Sequence, residues 1–315
     1  MTTNESNEGN QGNENSRSIL LAGATGVLGR HITQALTDAG HKVTGLGRGP
    51  GNDVRADLMD RDGLLRAVDG QHFDTVIHAA TALRKAPLRH RDMHATDALR
   101  SQGTAHLIEA ARATGARRFL SESMVFGYGY GDFGTRPLTE DDPFGPRGTT
   151  PALEKHIEGM RTKEQLTLEA KDLEGIALRF GLFYGPGGTE ALLSMLRRRQ
   201  LPAPDDHGRV VPWVGLTDAA RAVAAAVEHG CPGQAYNIAD RTPLGFRAHL
   251  LCAAREFGLP KPMAVPLWMV RPMVYAHTLM AGNLRVSSAK AERELGWTPV
   301  YASSGDGLAA MRAAR

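Results

Sequence analysis

The spacing Gly23-Ala24-Thr25-Gly26-Val27-Leu28-Gly29, set between an apolar run and a helical pattern, restricts this chain more than any other feature of its 315 residues. Ser18-Ile19-Leu20-Leu21-Ala22 reads as a short buried strand, and residues 27–39 carry a helical pattern. A G-x-x-G-x-x-G run at a strand-to-helix junction gives each glycine its own task. The first makes a tight turn, the second lets backbone approach a ligand, and the third lets helix pack close to strand. The helix tip then presents unbonded N–H groups and a partial positive charge, which suits the pyrophosphate of a dinucleotide.

Further strands are expected at residues 41–46, 54–57, 74–79, 118–121 and 175–180, with helices between them at 97–113 and 153–171. This alternation predicts an α/β architecture, a doubly wound parallel sheet of the Rossmann type over residues 18–180. Beyond 180 the regularity breaks at Gly185-Pro186-Gly187-Gly188 and Leu201-Pro202-Ala203-Pro204. Residues 181–315 are therefore read as a smaller C-terminal substrate lobe, with one element returning to the sheet near 234–240. Residues 1–17 are polar and low in apolar content, and are expected to be a disordered tail.

Composition excludes several alternatives. The 42% hydrophobic and 23% charged residues suit a globular core, and a net charge of +3 without a long basic block gives no nucleic-acid footprint. No run of about 18 apolar residues is present to span a membrane. Cys231 and Cys252, the two cysteines, are too few for a disulfide framework or a thiolate metal site, and no metal site is expected. The cytoplasm is the expected location.

The end of the second strand bears on cofactor choice. Gly45-Leu46-Gly47-Arg48 offers no carboxylate for a ribose 2′-hydroxyl, whereas Arg48 suits a 2′-phosphate, so NADP is favoured and NAD is the alternative. Asp57 is placed either to receive an adenine amino group or to cap the following helix.

Beyond the glycines, the chain carries Asp57-Leu58, Asp74 through Ala80, Gly103-Thr104, Glu164 and Leu178-Arg179-Phe180. It continues with Phe183-Tyr184-Gly185-Pro186-Gly187, Val214-Gly215-Leu216-Thr217-Asp218, Tyr236-Asn237-Ile238 and Glu294-Leu295-Gly296-Trp297-Thr298-Pro299. Together these resemble the extended short-chain dehydrogenase/reductases, the NAD-dependent epimerase/dehydratases. The resemblance implies that Gly23, Thr25, Gly26, Val27, Leu28, Gly29, Arg48, Asp57, Leu58, Ala79, Ala80 and Thr81 line the cofactor. It also implies a small-molecule substrate and a homodimer packed through residues 97–113 and 153–171.

The chain departs from the chemistry that the resemblance implies at all four of the family's catalytic positions: Tyr, Lys, Ser/Thr and Asn. The family pairs Tyr with Lys one helical turn on, and the Lys lowers the phenol's pKa so that it exchanges a proton with substrate. None of the six tyrosines here is followed four residues later by Lys. Counting back from Glu164 puts His156 at the Tyr position and Met160 at the Lys position; Glu122 falls at the Ser/Thr position and Arg100 at the Asn position. Tyr128 and Ser123, at the carboxyl end of the fifth strand, are the leading replacements, followed by Glu122 and His156. Tyr184, His207, Arg209 and Trp213 are the substrate-side candidates. The function expected is an NAD(P)-dependent oxidoreductase acting on a small, partly apolar carbonyl or alcohol. A redox-neutral epimerase, dehydratase or lyase, and a non-catalytic dinucleotide sensor, stand as alternatives.

Overall fold

A computed structural model describes residues 16–83 and 85–314; most of the expected tail, residues 1–15, lies outside them. The central element is a seven-stranded parallel sheet, in the order β10-β6-β5-β4-β1-β2-β3. Its strands are β1 (Ser18–Ala22), β2 (Lys42–Gly47), β3 (Val54–Arg55), β4 (Thr75–His78), β5 (Arg118–Met124), β6 (Glu174–Phe180) and β10 (Gln234–Ile238). The strand order reverses between β1 and β4, and in an open α/β sheet that reversal opens a crevice at the strands' carboxyl ends.

Apolar strand residues alternate between two cores. Ile19, Leu21, Ile77, Leu120 and Leu178 face α1 (Val27–Asp38) and α7 (Leu216–His229). Leu20, Ala22, Val76 and Phe119 face α2 (Arg61–Val68) and α4 (Thr104–Ala113). The period of two along each strand makes both faces buried, as a parallel sheet under two helical layers requires.

The helix expected over 97–113 is interrupted. It begins as α3 (His94–Ala98), widens into a π turn at Leu99–Gly103 and resumes as α4. The Thr104 N–H reaches back to the Leu99 carbonyl, five residues away, which is the hydrogen bond that defines such a turn. Helix α5 (Pro151–Leu168) starts with Pro151 in its first turn and Thr150 as N-cap, the Thr150 hydroxyl accepting from the Leu153 N–H at 3.3 Å.

The remaining elements build the C-terminal part. Strand β7 (Leu182–Tyr184) pairs with β9 (Trp213–Gly215), and β8 (Ala203–Asp205) pairs with β11 (Ala264–Pro266). Helices α6 (Glu190–Arg197), α8 (Phe246–Glu256) and α11 (Ser304–Ala313) share one apolar cluster around Leu193, Leu196, Ala253 and Leu308. Helix α9 (Val274–Ala281) lies against the loop after β4, where the Tyr275 N–H donates to the Leu88 carbonyl at 3.0 Å. Helix α10 (Ala289–Leu295) is tied to α7 by the Trp297 indole, which donates to the Asp218 carbonyl at 2.9 Å. Among the described residues no helix is long and apolar enough to cross a membrane.

Candidate active site

The turn after β1 is built so that only glycines fit. Gly23 has φ +92°, and a Cβ there would stand 2.8 Å from the Ala79 carbonyl oxygen and the Ala80 nitrogen. A Cβ on Gly29 would overlap the Gly23 carbonyl oxygen. Gly26 caps α1 without a side-chain bond, and the first turn of α1 holds no acidic residue. The Gly26 N–H turns back to the Gly23 carbonyl at 2.9 Å, whereas the N–H groups of the first helical turn have no intrahelical acceptor and no acidic side chain in that turn to offset their dipole. The cradle fits a pyrophosphate.

Around it, Thr25 and Val27 are exposed at the tip, whereas the side chains of Leu28 and Leu58 point into the two cores. Those two leucines offer backbone rather than side chain to a ligand. Ala79, Ala80 and Thr81 follow β4 across from Gly23, with the Ala79 N–H donating to the Ala22 carbonyl at 3.0 Å. Arg48 sits exposed after β2, its guanidinium 3.6 Å from the Asp57 carboxylate. Helix α2 is capped by Asp60, so Asp57 is free of that duty. The loop after Arg48 also brings the Asp53 carboxylate onto the Gly45 N–H at 2.7 Å, beside the same edge.

A polar cluster lies further along the crevice. Helices covering a parallel sheet run opposite to its strands, so the first turns of α5 stand over the carboxyl edge. His156, in the second turn, has no exposed surface. Its Nδ1 is 2.6 Å from Asp97 Oδ2 and its Nε2 is 2.9 Å from His90 Nδ1. The two imidazoles stack with centroids 5.1 Å apart, and the Tyr275 ring meets both edge-on. The second oxygen of Asp97 lies 3.5 Å from Arg100, on the π turn. The Tyr130 hydroxyl is 3.3 Å from that of Tyr275. Two helical turns beyond His156 on the same face, buried Lys163 donates to Glu122 Oε2 and to the His78 carbonyl, both at 3.3 Å. Burial holds the Lys163 amine down to about 8, against the pull of Glu122. The His78 imidazole, fully buried, is held well below its ordinary range, first by desolvation and then by Lys163.

The family model described as "NAD dependent epimerase/dehydratase family" matches residues 19–239. This chain belongs to that family. It is 34% identical to the 3-diazoavenalumate denitrifying reductase of a Streptomyces species, over 92% of this chain and 98% of that protein. It is 32% identical to a dTDP-4-dehydrorhamnose reductase of Streptomyces griseus, over 67% of this chain and 66% of that protein. Among solved structures, human epimerase family protein SDR39U1 with NADPH shares the fold at TM-score 0.78 and 19% identity, covering 94% of this chain and 99% of that one. A dTDP-glucose 4,6-dehydratase of Streptomyces venezuelae with NAD bound does so at TM-score 0.74 and 21% identity, covering 94% and 95%.

Within the epimerase/dehydratase frame the leading catalytic expectations need correction. The Tyr128 side chain is 2% exposed; its hydroxyl accepts from Arg179 at 2.8 Å and lies 2.9 Å from the Thr139 carbonyl and 3.0 Å from Asn237 Oδ1. Burial pushes the phenol up to about 12. Ser123 is equally enclosed, donating to Glu164 Oε1 at 2.6 Å. Both are enclosed in the hydrogen-bonded group that joins α5 to the sheet through Glu164 and Arg179. Glu122 is half-buried and pairs with Lys163, and His156 is enclosed beside His90. Arg100 pairs with Asp97, and Met160 is buried in an apolar cluster.

Two substrate-side expectations are corrected as well. Tyr184 is buried against Gly215 and Gly307. Trp213 is 5% exposed, stacks on His249 at 3.8 Å and donates to the Leu244 carbonyl at 2.8 Å. His207 and Arg209 do line a cleft of about 650 Å³ in the C-terminal part, together with Arg247, Arg271, Trp268 and His277. Asp97 and Lys163 are site residues that the sequence motifs do not single out. Lys163 was traceable there, seven residues after His156 and so on the same helical stripe.

Proposed function

We propose that the chain is a nicotinamide-dependent reductase, with NADPH preferred to NADH, that passes hydride to a small, partly apolar and anionic substrate. The observation that carries this reading is the glycine cradle at the switch point, open to an anion at the same carboxyl edge of the sheet where Glu122 pairs with Lys163. When bound, the dinucleotide supplies the hydride. Arg48 suits the 2′-phosphate of NADPH, and the cleft's Arg209, Arg247 and Arg271 suit a carboxylate on the substrate.

The relative named as a 3-diazoavenalumate denitrifying reductase supports an acceptor of the diazo class, since the likeness spans nearly all of both chains. Such a reduction places a hydride's electron pair in a new C–H bond while the C–N bond breaks and dinitrogen leaves. It does not depend on a phenol protonating a carbonyl oxygen, and no Tyr-x-x-x-Lys pair occurs in this sequence. The homodimer through residues 97–113 and 153–171 belongs to the same proposal, with light scattering as its measurement.

The test is calorimetric titration with NADPH and NADH, followed by NADPH oxidation with 3-diazo-4-hydroxybenzoate and with 4-carboxybenzaldehyde, which share a carboxylate. Tighter binding of NADPH, and oxidation that yields 4-hydroxybenzoate from the diazo probe, are expected. Oxidation with the aldehyde alone would move the reading to carbonyl reduction. Absence of affinity for either dinucleotide would end it.

A further inference from the structure

Asp97, His156 and His90 are linked in a line that ends outside, and the order of their hydrogen bonds fixes which nitrogen does what. Asp97 is buried and its carboxylate can only accept, so His156 must donate Nδ1–H to it across the 2.6 Å contact. When neutral, His156 keeps Nε2 as an acceptor. His90 Nδ1, 2.9 Å away, is then the donor, and the nitrogen left over is His90 Nε2. Of the three side chains, Asp97 and His156 are enclosed and His90 is the half-buried one. Any proton leaving this line for the crevice therefore leaves from His90.

We propose that His90 Nε2 is the site that hands a proton to the reacting substrate, with His156 and Asp97 as positioning residues that set its tautomer and orientation. This rests on the reductase reading, and it supplies a proton donor beside the helix position where the family's phenol is missing. In a carbonyl reduction the hydride pair forms a C–H bond, the carbonyl π pair moves to oxygen, and the N–H bond of protonated His90 breaks to give O–H. With a diazo group ortho to an oxyanion, the same proton goes to that oxygen as dinitrogen departs. His90 is reprotonated from solvent, to which it is open.

The surroundings agree with an imidazole that must be able to lose its proton. The His90 imidazole is held below its ordinary value, by burial first and then by His156 and His94. His94 comes from the same segment, His156 from α5 and Tyr275 from α9; Asp97 and Arg100 stand behind His156, and Tyr130 behind Tyr275. Tyr275 packs on both imidazoles and its backbone N–H is bonded to Leu88, two residues before His90, so α9 holds both rings in place.

The experiment is the pH dependence of NADPH oxidation with the aldehyde and diazo probes in the full chain, for wild type, His90→Ala and His156→Gln. In wild type kcat/KM should rise as pH falls through a value below that of free histidine, because the donor must be protonated. His90→Ala should lose that limb and about 10²–10⁴ in kcat, the usual worth of general acid catalysis, with NADPH affinity unchanged. Added imidazole should restore part of the rate, because the site is open. His156→Gln should move the limb; should this buried variant not fold, His90→Ala carries the test alone. A His90→Ala enzyme within threefold of wild type and with the same profile overturns the proposal while leaving the reductase reading intact. A wild type that binds NADPH and reduces neither probe overturns both, and failure to bind NADPH is already the failure of the parent reading.

Discussion

Lys163 shows how burial of one charge leaves a trace in stability. Its amine is held down to about 8 in the folded chain, whereas an unfolded lysine titrates near about 10.4. Between those values the unfolded state holds the extra proton, so stability rises with pH across that window. About 2 kcal/mol of that rise falls between pH about 8 and about 10, where urea denaturation should show it in wild type and not in Lys163→Met. A slope shared by both proteins would mean that the amine is solvated. The sequence did not expose Lys163 because counting from Glu164 looked for a lysine four residues earlier, where Met160 stands. Lys163 enters from the next turns of the same stripe instead. Ser123 lies at the end of β5 and Tyr128 on the short helical turn after it, but which of their sides faces α5 depends on packing that motif spacing does not carry.

At the scale of elements, α5 is pinned to β6 by ionic contacts rather than by apolar area alone. Arg179 on β6 donates to Glu164 on α5 at 2.8 Å and to Tyr128 at 2.8 Å, and Ser123 closes the group. Removing one partner of such a buried set leaves the other charge unpaired. Glu164→Gln should therefore cost about 3–5 kcal/mol in denaturation. A loss below about 1 kcal/mol would show that water reaches Arg179, since exposed pairs are worth no more than that. The sheet's strands and its doubly wound character were legible because apolar runs alternated with helical stretches. The interruption at Leu99–Gly103 was not, because a π turn changes hydrogen-bond count without changing hydrophobic pattern.

Across the whole molecule, the cofactor cradle couples ligand to folding. A ligand that binds only the folded state adds about 2.7 kcal/mol at a hundred times its dissociation constant. Saturating NADPH should raise the melting temperature of wild type by several degrees, about what that energy gives in a chain of this size. Gly29→Ala should abolish the rise, because its methyl group would force α1 away from the Gly23 carbonyl. A Gly29→Ala protein with an undiminished NADPH-dependent rise would place the dinucleotide elsewhere. The smaller C-terminal part was harder to read, since its paired strands are three residues long and its cleft is assembled from segments distant in sequence.

The widened turn has one more consequence. It holds a single residue beyond what a regular helix would need, so removing one residue from Leu99–Gly103 would restore an unbroken spiral. A surplus residue taken up in one wide turn leaves the helix on either side facing nearly as an unbroken one would, so Asp97 and α4 would keep their directions. What would go is the bulge that carries Arg100 to the Asp97 carboxylate. A one-codon deletion is thus a way to strip the acid of its guanidinium while sparing the dinucleotide's seat.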